Sequence, residues 1–464
     1  MTVLEPPGVA VREGDYGAKV TAVEPGGVEF IPLADRHGTP RQLLWTWMSP
    51  NLEFATIFLG VLSVAAFGLS FWQAVLAVTV GTGLGALSHG VLSARGPAAG
   101  VPQMVLGRLP FGYWGNLLPA AFNTVAAGIG WFAVNSVSGA LALNTLTGLP
   151  AWLCLVVVVT AMVVLGFFGH NLVQAFERYA FPVLAVIFLV ASAVILTKAD
   201  PGFAGSGGGI GGFLLTVGAT FGYAAGWNPY AADYTRYLPP DSGKRAVGLA
   251  AGLGVFVPCV LLEVVGAASV TIGGDALGQP TTAFTSHMPG LIAGLTLLAI
   301  ALGAVSANAL NVYSGAMSLL TMGVRLPLTM RRAITAVACG VVGFVVALTG
   351  LEDAGHKYES FLLVISYWIG PWLAVVLADH YLRRGEVPLA RLYDRSHRSP
   401  AGPIAMAAGV VLSVWLFCNQ ELYVGLVPSR FPEVGDITFE AGFLIAGAVY
   451  VALKPLRHRP AVTQ

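Results

Sequence analysis

Charge is what this sequence has least of. Only 10% of its 464 residues are Asp, Glu, Lys or Arg, against roughly a quarter in a soluble domain. A water-soluble globular protein is therefore excluded, and the net charge of +1 says nothing about partners. Cysteine is scarce too. Cys154, Cys259, Cys339 and Cys418 each lie in a different apolar run, so they read as small buried hydrophobes, not as a disulfide framework or a metal site. His89, His170 and His287 are scattered without metal-ligand spacing. No phosphate loop follows a strand, and HExxH and a GxSxG in a strand–turn–helix setting are both missing. GSGGGIGG at 205–212 is a glycine-rich entry to an apolar run, not a nucleotide loop. No enzyme, cofactor, metal or nucleic-acid partner is expected. No cleavable signal is read before the first apolar run.

What is abundant is hydrophobic residues, at 56%. Apolar stretches near 20 residues recur, and about 20 helical residues cross a ~30 Å hydrocarbon core. The chain is read as an all-α polytopic membrane protein lying in a lipid bilayer. Its twelve transmembrane helices are placed at 43–67, 72–92, 115–143, 151–168, 177–197, 210–233, 246–272, 289–322, 332–349, 358–382, 402–418 and 438–453. With both termini cytoplasmic, all of the 24 basic residues except Lys198, Lys357 and Arg430 fall on the inner side, as the positive-inside rule asks. Residues 1–42 and 454–464 are read as cytoplasmic tails, the first partly disordered.

The stretch FGYAAGWNPYAADYTRYLP at 221–239 organises the rest. It should be the middle of a membrane helix, yet Gly222, Gly226, Asn228 and Pro229 fall within eight residues. Glycine and proline weaken a helix interior, and broken backbone survives in hydrocarbon only when buried in protein or lining a cavity. Tyr223, Trp227 and Tyr230 flank the break with flat surfaces suited to a planar ligand. The first span is interrupted as well, at Pro50 and Asn51, with Glu53 following. The breaks are five spans apart, so the two halves cross the membrane in opposite senses. That points to a five-plus-five inverted repeat, 43–197 and 210–382, with the site between broken helices 1 and 6. Two incidental proline kinks are the plainer alternative. Spans 11 and 12, at 402–453, carry almost no polar residues and read as scaffold or an oligomer surface.

Other polar residues gather on the repeat's counterpart helices. In the third span Trp131 and Asn135 share a face, and in the eighth Asn308 and Asn311 do, with Ser306 and Ser314 nearby. Helix packing explains such residues equally well one span at a time, and Asn308 is the stronger packing candidate. Glu177, at the entry to the fifth span, reads as an exposed ion pair with Arg178 or as a carboxylate dipping toward the site. Glu263 lies within the seventh span with no basic residue near it in sequence, either functional or bonded to a neighbouring helix. Asp233 either carries a proton or pairs with Arg236 to hold the inner end of the sixth span.

GWNPYAADYTRYLP and SYWIGPWLAVVLADHYLRRG, with ERYAFP, WFAVN and ANALNVYS, resemble the purine–cytosine permease family of nucleobase–cation symporters over spans one to ten. The resemblance implies the LeuT-type fold and a secondary transporter importing a nucleobase, such as cytosine or a purine, across the plasma membrane. Uracil, allantoin, hydantoin or thiamine would fit a similar site. An amino-acid transporter, a channel and a membrane-embedded enzyme are more remote. The resemblance also implies that Trp131 and either Tyr223 or Trp227 sandwich the base, that Asn135 and Asn311 bind it, and that Asn51 lies near unwound backbone touching the ligand. It makes Glu177 the first candidate for a proton carrier, ahead of Glu53 and Asp233. Glu53 is an acid where many relatives have an amide. Positions that supply sodium ligands in sodium-coupled relatives align with Leu302, Val305 and Ser306, leaving one hydroxyl. The expected coupling ion is therefore H+, with Na+ less favoured.

Overall fold

The structure is a computed structural model describing residues 8–11, 27–168, 170–324, 331–420 and 422–454, with no side-chain detail at 331–333. Much of the two expected tails lies outside these residues. Among those described, eight helices are long and apolar enough to cross a membrane, nine with the bent pair at the first span. Three shorter apolar helices, Ile334–Gly350, Ala401–Phe417 and Thr438–Leu453, make the set consistent with twelve. The one two-stranded sheet among the described residues is a minimal hairpin pairing Asn419–Gln420 with Tyr423–Val424.

Both expected breaks are present. Span 1 runs Gln42–Met48, tightens to a 3-10 turn at Ser49–Asn51, and resumes at Phe54–Ala65 after a bend of 56°. Pro50 sits within that turn, where a missing N–H costs least. Leu52 and Glu53 leave helical geometry, and Glu53 is the N-cap residue of the second half, Phe54–Ala65. Span 6 runs Gly209–Ala225, turns through Gly226 and Trp227, forms a 3-10 turn at Asn228–Tyr230, and continues as Ala231–Thr235. The third span, Leu117–Thr147, holds an unforeseen π-helical stretch at Ala126–Trp131, in which one extra residue per turn displaces the helix face. Trp131 ends that stretch.

The broken helices lie against close-packed neighbours. A Cβ on Gly60 of span 1 would lie 1.7 Å from the Glu263 carbonyl of span 7, Lys244–Ile272. A Cβ on Gly303 of span 8, Gly290–Thr321, would lie 2.2 Å from the Leu52 carbonyl. Glycine at both positions lets backbones touch where side chains would hold them apart.

One sequence expectation is corrected. Span 5 begins at His170, not at 177, and runs to Leu196. Glu177 is therefore two turns inside the helix and fully buried, which excludes an exposed ion pair with Arg178. Part of the N-terminal tail is docked: Phe30 and Ile31 are buried, the Ile31 N–H donates to the Gly100 carbonyl, and the His37 N–H donates to the Tyr237 carbonyl. Phe30 joins an apolar cluster with Ala99, Leu106, Ala232 and Leu392. That burial offsets the entropy of ordering the segment.

Candidate functional site

A small pocket of about 10 Å³ sits where spans 3, 6 and 8 meet, lined by Trp131, Asn135, Tyr223, Gly226, Trp227, Ala307 and Asn311. Five of the seven residues expected to bind substrate are in that lining. No charged side chain is. The space is tight, enough for about one ordered water, so the walls must part to admit a ring. Two small residues complete the lining: Gly226, from the break in span 6, and Ala307, which sequence reasoning did not single out.

Local structure holds each aromatic. Trp131 meets Tyr223 edge-on, with centroids 5.4 Å apart and planes at 82°, and meets Phe361 at 5.0 Å and 83°. The Tyr223 hydroxyl lies 2.6 Å from Thr56 Oγ1 and donates to Glu53 Oε1 at 3.3 Å. Trp227 Nε1 donates to Asn51 Oδ1 at 3.0 Å, and Asn51 Nδ2 donates to the Trp47 carbonyl at 2.7 Å. Asn51 is thus a bracket joining the two breaks; it does not line the cavity. Both Tyr223 and Trp227 do, so both remain candidates for the second stacking surface. Phe361 went unnoticed in the sequence because an aromatic near the start of an apolar helix has no distinguishing pattern. Beyond Phe361 lies a larger, mainly apolar and half-open pocket of about 280 Å³, whose wall includes Phe58, Ser138 and Lys357.

The asparagines form one network. Asn135 Nδ2 and Asn311 Nδ2 both donate to Asn308 Oδ1, each at 3.0 Å. Asn308 Nδ2 donates to the Phe132 carbonyl at 2.8 Å. Asn308 is therefore the hub that aims the other two amides, and it does not line the cavity. Asn311 Oδ1 accepts from Tyr230 at 3.1 Å.

The four acids are used differently. Ser306 Oγ donates to Glu177 Oε2 at 2.6 Å and lies 3.1 Å from Ser49 Oγ at the first break. Glu177 Oε1 is buried with no bond. A carboxylate from span 5 thus occupies the junction of spans 1, 5 and 8. Of the other two aligned positions, Val305 packs into the apolar cluster with Phe132 and Val158, and Leu302 packs against the main core. Glu53 accepts from Tyr223 and, at 3.4 Å, from Ser138, just after the break of span 1. Glu263 accepts from Thr82 at both oxygens, 2.9 and 2.7 Å. Asp233 accepts from the Gln103 backbone N–H at 2.9 Å, within the Ala231–Thr235 part of span 6 and outside the cavity lining.

Residues 30–431 match the family model described as permease for cytosine/purines, uracil, thiamine, allantoin. The chain belongs to that family. It is a membrane permease and not an enzyme. Among its relatives is the purine-cytosine permease fcyB of Emericella nidulans, 28% identical over 456 residues, covering 93% of this chain and 88% of the relative. The purine-cytosine permease FCY21 of Saccharomyces cerevisiae is 27% identical over 468 residues, covering 94% and 86%. The hydantoin permease of Microbacterium maritypicum is 24% identical over 388 residues, covering 78% and 76%. The fold matches that of Mhp1, a nucleobase-cation-symport-1 family transporter solved in a closed conformation with bromovinylhydantoin bound, with a TM-score of 0.72 at 19% identity over 98% of both chains. This permease therefore has the LeuT-type arrangement, with broken helices 1 and 6.

Proposed function

We propose that this permease imports a nucleobase, cytosine or a purine, across the plasma membrane by alternating access, driven by inward proton flow. Both termini are cytoplasmic in this reading, and the repeats are 43–197 and 210–382. The observation that carries it is the neutral cavity in which Trp131, Asn135 and Asn311 face Tyr223 and Trp227. Burying an unpaired charge is expensive, so a site without charged walls selects an uncharged ligand. The aromatic faces select a flat one, and the two amides offer donors and acceptors to a heterocycle's edge. An amino acid would need a partner for its carboxylate. Trp131 stacks on one face of the base, and Tyr223 or Trp227 turns onto the other as the walls part.

Glu177 is the proposed proton carrier. Its junction supplies two serine hydroxyls and one carboxylate, a poor cage for sodium, which needs several oxygens. No basic side chain bonds to Glu177 among the described residues. Burial without a cation favours the neutral acid, and contact with water favours the carboxylate. Alternation between the two would load and release a proton at each turnover. Glu53 and Asp233 rank second and third.

Competition of labelled cytosine uptake by a panel of unlabelled bases and related heterocycles tests the substrate reading. Cytosine and purines should compete saturably. Competition by hydantoins or allantoin alone would overturn it.

A further inference from the structure

On the membrane face where span 2, Phe71–Ser93, ends and span 7 begins, basic side chains crowd a single spot. Arg95 follows span 2 directly and is only 6% exposed. Its Nε and Nη1 are buried without a hydrogen bond. A buried guanidinium left uncompensated is strongly unfavourable, so the site calls for an anion. The nearest acid is already committed. Asp379, near the end of span 10, Ala354–Leu382, accepts from Arg383 Nε at 2.9 and 2.8 Å, from Tyr450 at 2.8 Å, and from Lys454. It can offset Arg95 only at a distance, while Arg383 adds repulsion.

Further positive charge converges there. Gly90 and Gly248 bring spans 2 and 7 into backbone contact, which sets Lys244, one turn before Gly248, beside the end of span 2. Lys244 is exposed, and its charge and that of Arg95 both bear on His380. Leu249 of span 7 and Tyr381 of span 10 are each 65% exposed, as lipid-facing residues are.

We propose that Arg95, with Lys244 and Arg383, binds a phosphate group at this face, independently of what the permease carries. Guanidinium groups bind phosphate oxygens through charge-assisted hydrogen bonds, and basic pockets between membrane helices bind phospholipid headgroups. The phosphate is either the headgroup of an anionic lipid or a soluble phosphate.

The test uses the full-length permease purified in detergent, with its unfolding temperature followed against three titrants: phosphatidylglycerol, phosphatidylcholine and inorganic phosphate. Saturable stabilisation by phosphatidylglycerol but not phosphatidylcholine supports a lipid site. Saturable stabilisation by inorganic phosphate supports a soluble one. In either case Arg95→Gln should weaken the half-saturating concentration at least about tenfold, and Arg95→Lys should recover part of the loss. Should Arg95→Gln fail to fold, Lys244→Gln decides, with an expected weakening of about fivefold. No saturable stabilisation by any titrant, or identical titrations for parent and Lys244→Gln, overturns the proposal.

Discussion

Glu177 and Glu263 are both fully buried glutamates in membrane helices, and each accepts a hydrogen bond from a hydroxyl group on a neighbouring span. Their surroundings differ. Thr82 spans both oxygens of Glu263, tying span 7 to span 2 outside the cavity lining. Glu177 has one oxygen bonded and the other bare, at a junction that includes the break of span 1. The asparagines repeat the contrast. Asn308 bonds protein at both ends of its amide and lies behind the cavity wall; Asn311 is also bonded at both ends, but it and Asn135 line the cavity, where an amide's second proton and second lone pair can face a ligand. A polar group in a membrane is costly, and these pairs separate two ways of offsetting that cost. Saturated groups hold helices together; groups with spare bonding capacity at a break or cavity are available to a ligand or a proton.

The largest expected effect is on Glu177. Glu177→Gln keeps shape and one hydrogen-bonding oxygen but cannot exchange a proton. It should bind cytosine nearly as well as the parent yet lose uphill accumulation altogether, as equilibrium binding and proteoliposome uptake would reveal. Full proton-driven accumulation by this variant would move the role to Glu53 or another acid. Next comes the cavity. Trp131→Ala should lose about 1–3 kcal/mol of stacking, roughly a tenfold to hundredfold rise in Kd, while Trp131→Phe retains much of the affinity. Unchanged binding by purified Trp131→Ala would remove the stacking model.

The two asparagines of span 8 should then part company. Asn311→Ala should weaken binding at least as much as Trp131→Ala, because a polar ligand edge is left unpaired. Asn308→Ala should instead lower stability by about 1–3 kcal/mol, by stranding Asn135, Asn311 and the Phe132 carbonyl. Thermal unfolding with and without substrate distinguishes these outcomes. The smallest effect belongs to Glu263→Gln, which should leave the proton dependence of uptake unchanged. Loss of coupling there would erase the contrast between the two glutamates.

Much of this was legible in the sequence because broken membrane helices leave chemical marks. Pro50, Asn51, Asn228 and Pro229 are conspicuous in apolar runs, and both breaks lie where those residues put them. Trp131, Asn135 and Asn311 were legible from their spacing on counterpart spans. The roles within the amide network were not. Asn308 and Asn311 are three positions apart, and nothing local says which one points at a ligand. Asn51 looked like a ligand contact but braces Trp227, since bonding partners across spans are invisible in a linear chain. Glu177 was misjudged in depth because HNLVQAF is too polar to read as membrane helix, although the helix begins there. The docking of Phe30 was illegible for a related reason: a single aromatic in a polar segment carries no periodicity.

Coupling is the claim on which this account turns, and proteoliposomes holding the permease in sodium-free buffer test it most directly. With the outside made acid and labelled cytosine supplied at equal concentration on both sides, cytosine should accumulate inside, and a protonophore should abolish the accumulation. Failure to accumulate under the proton gradient, together with accumulation under a sodium gradient at uniform pH, would contradict the account.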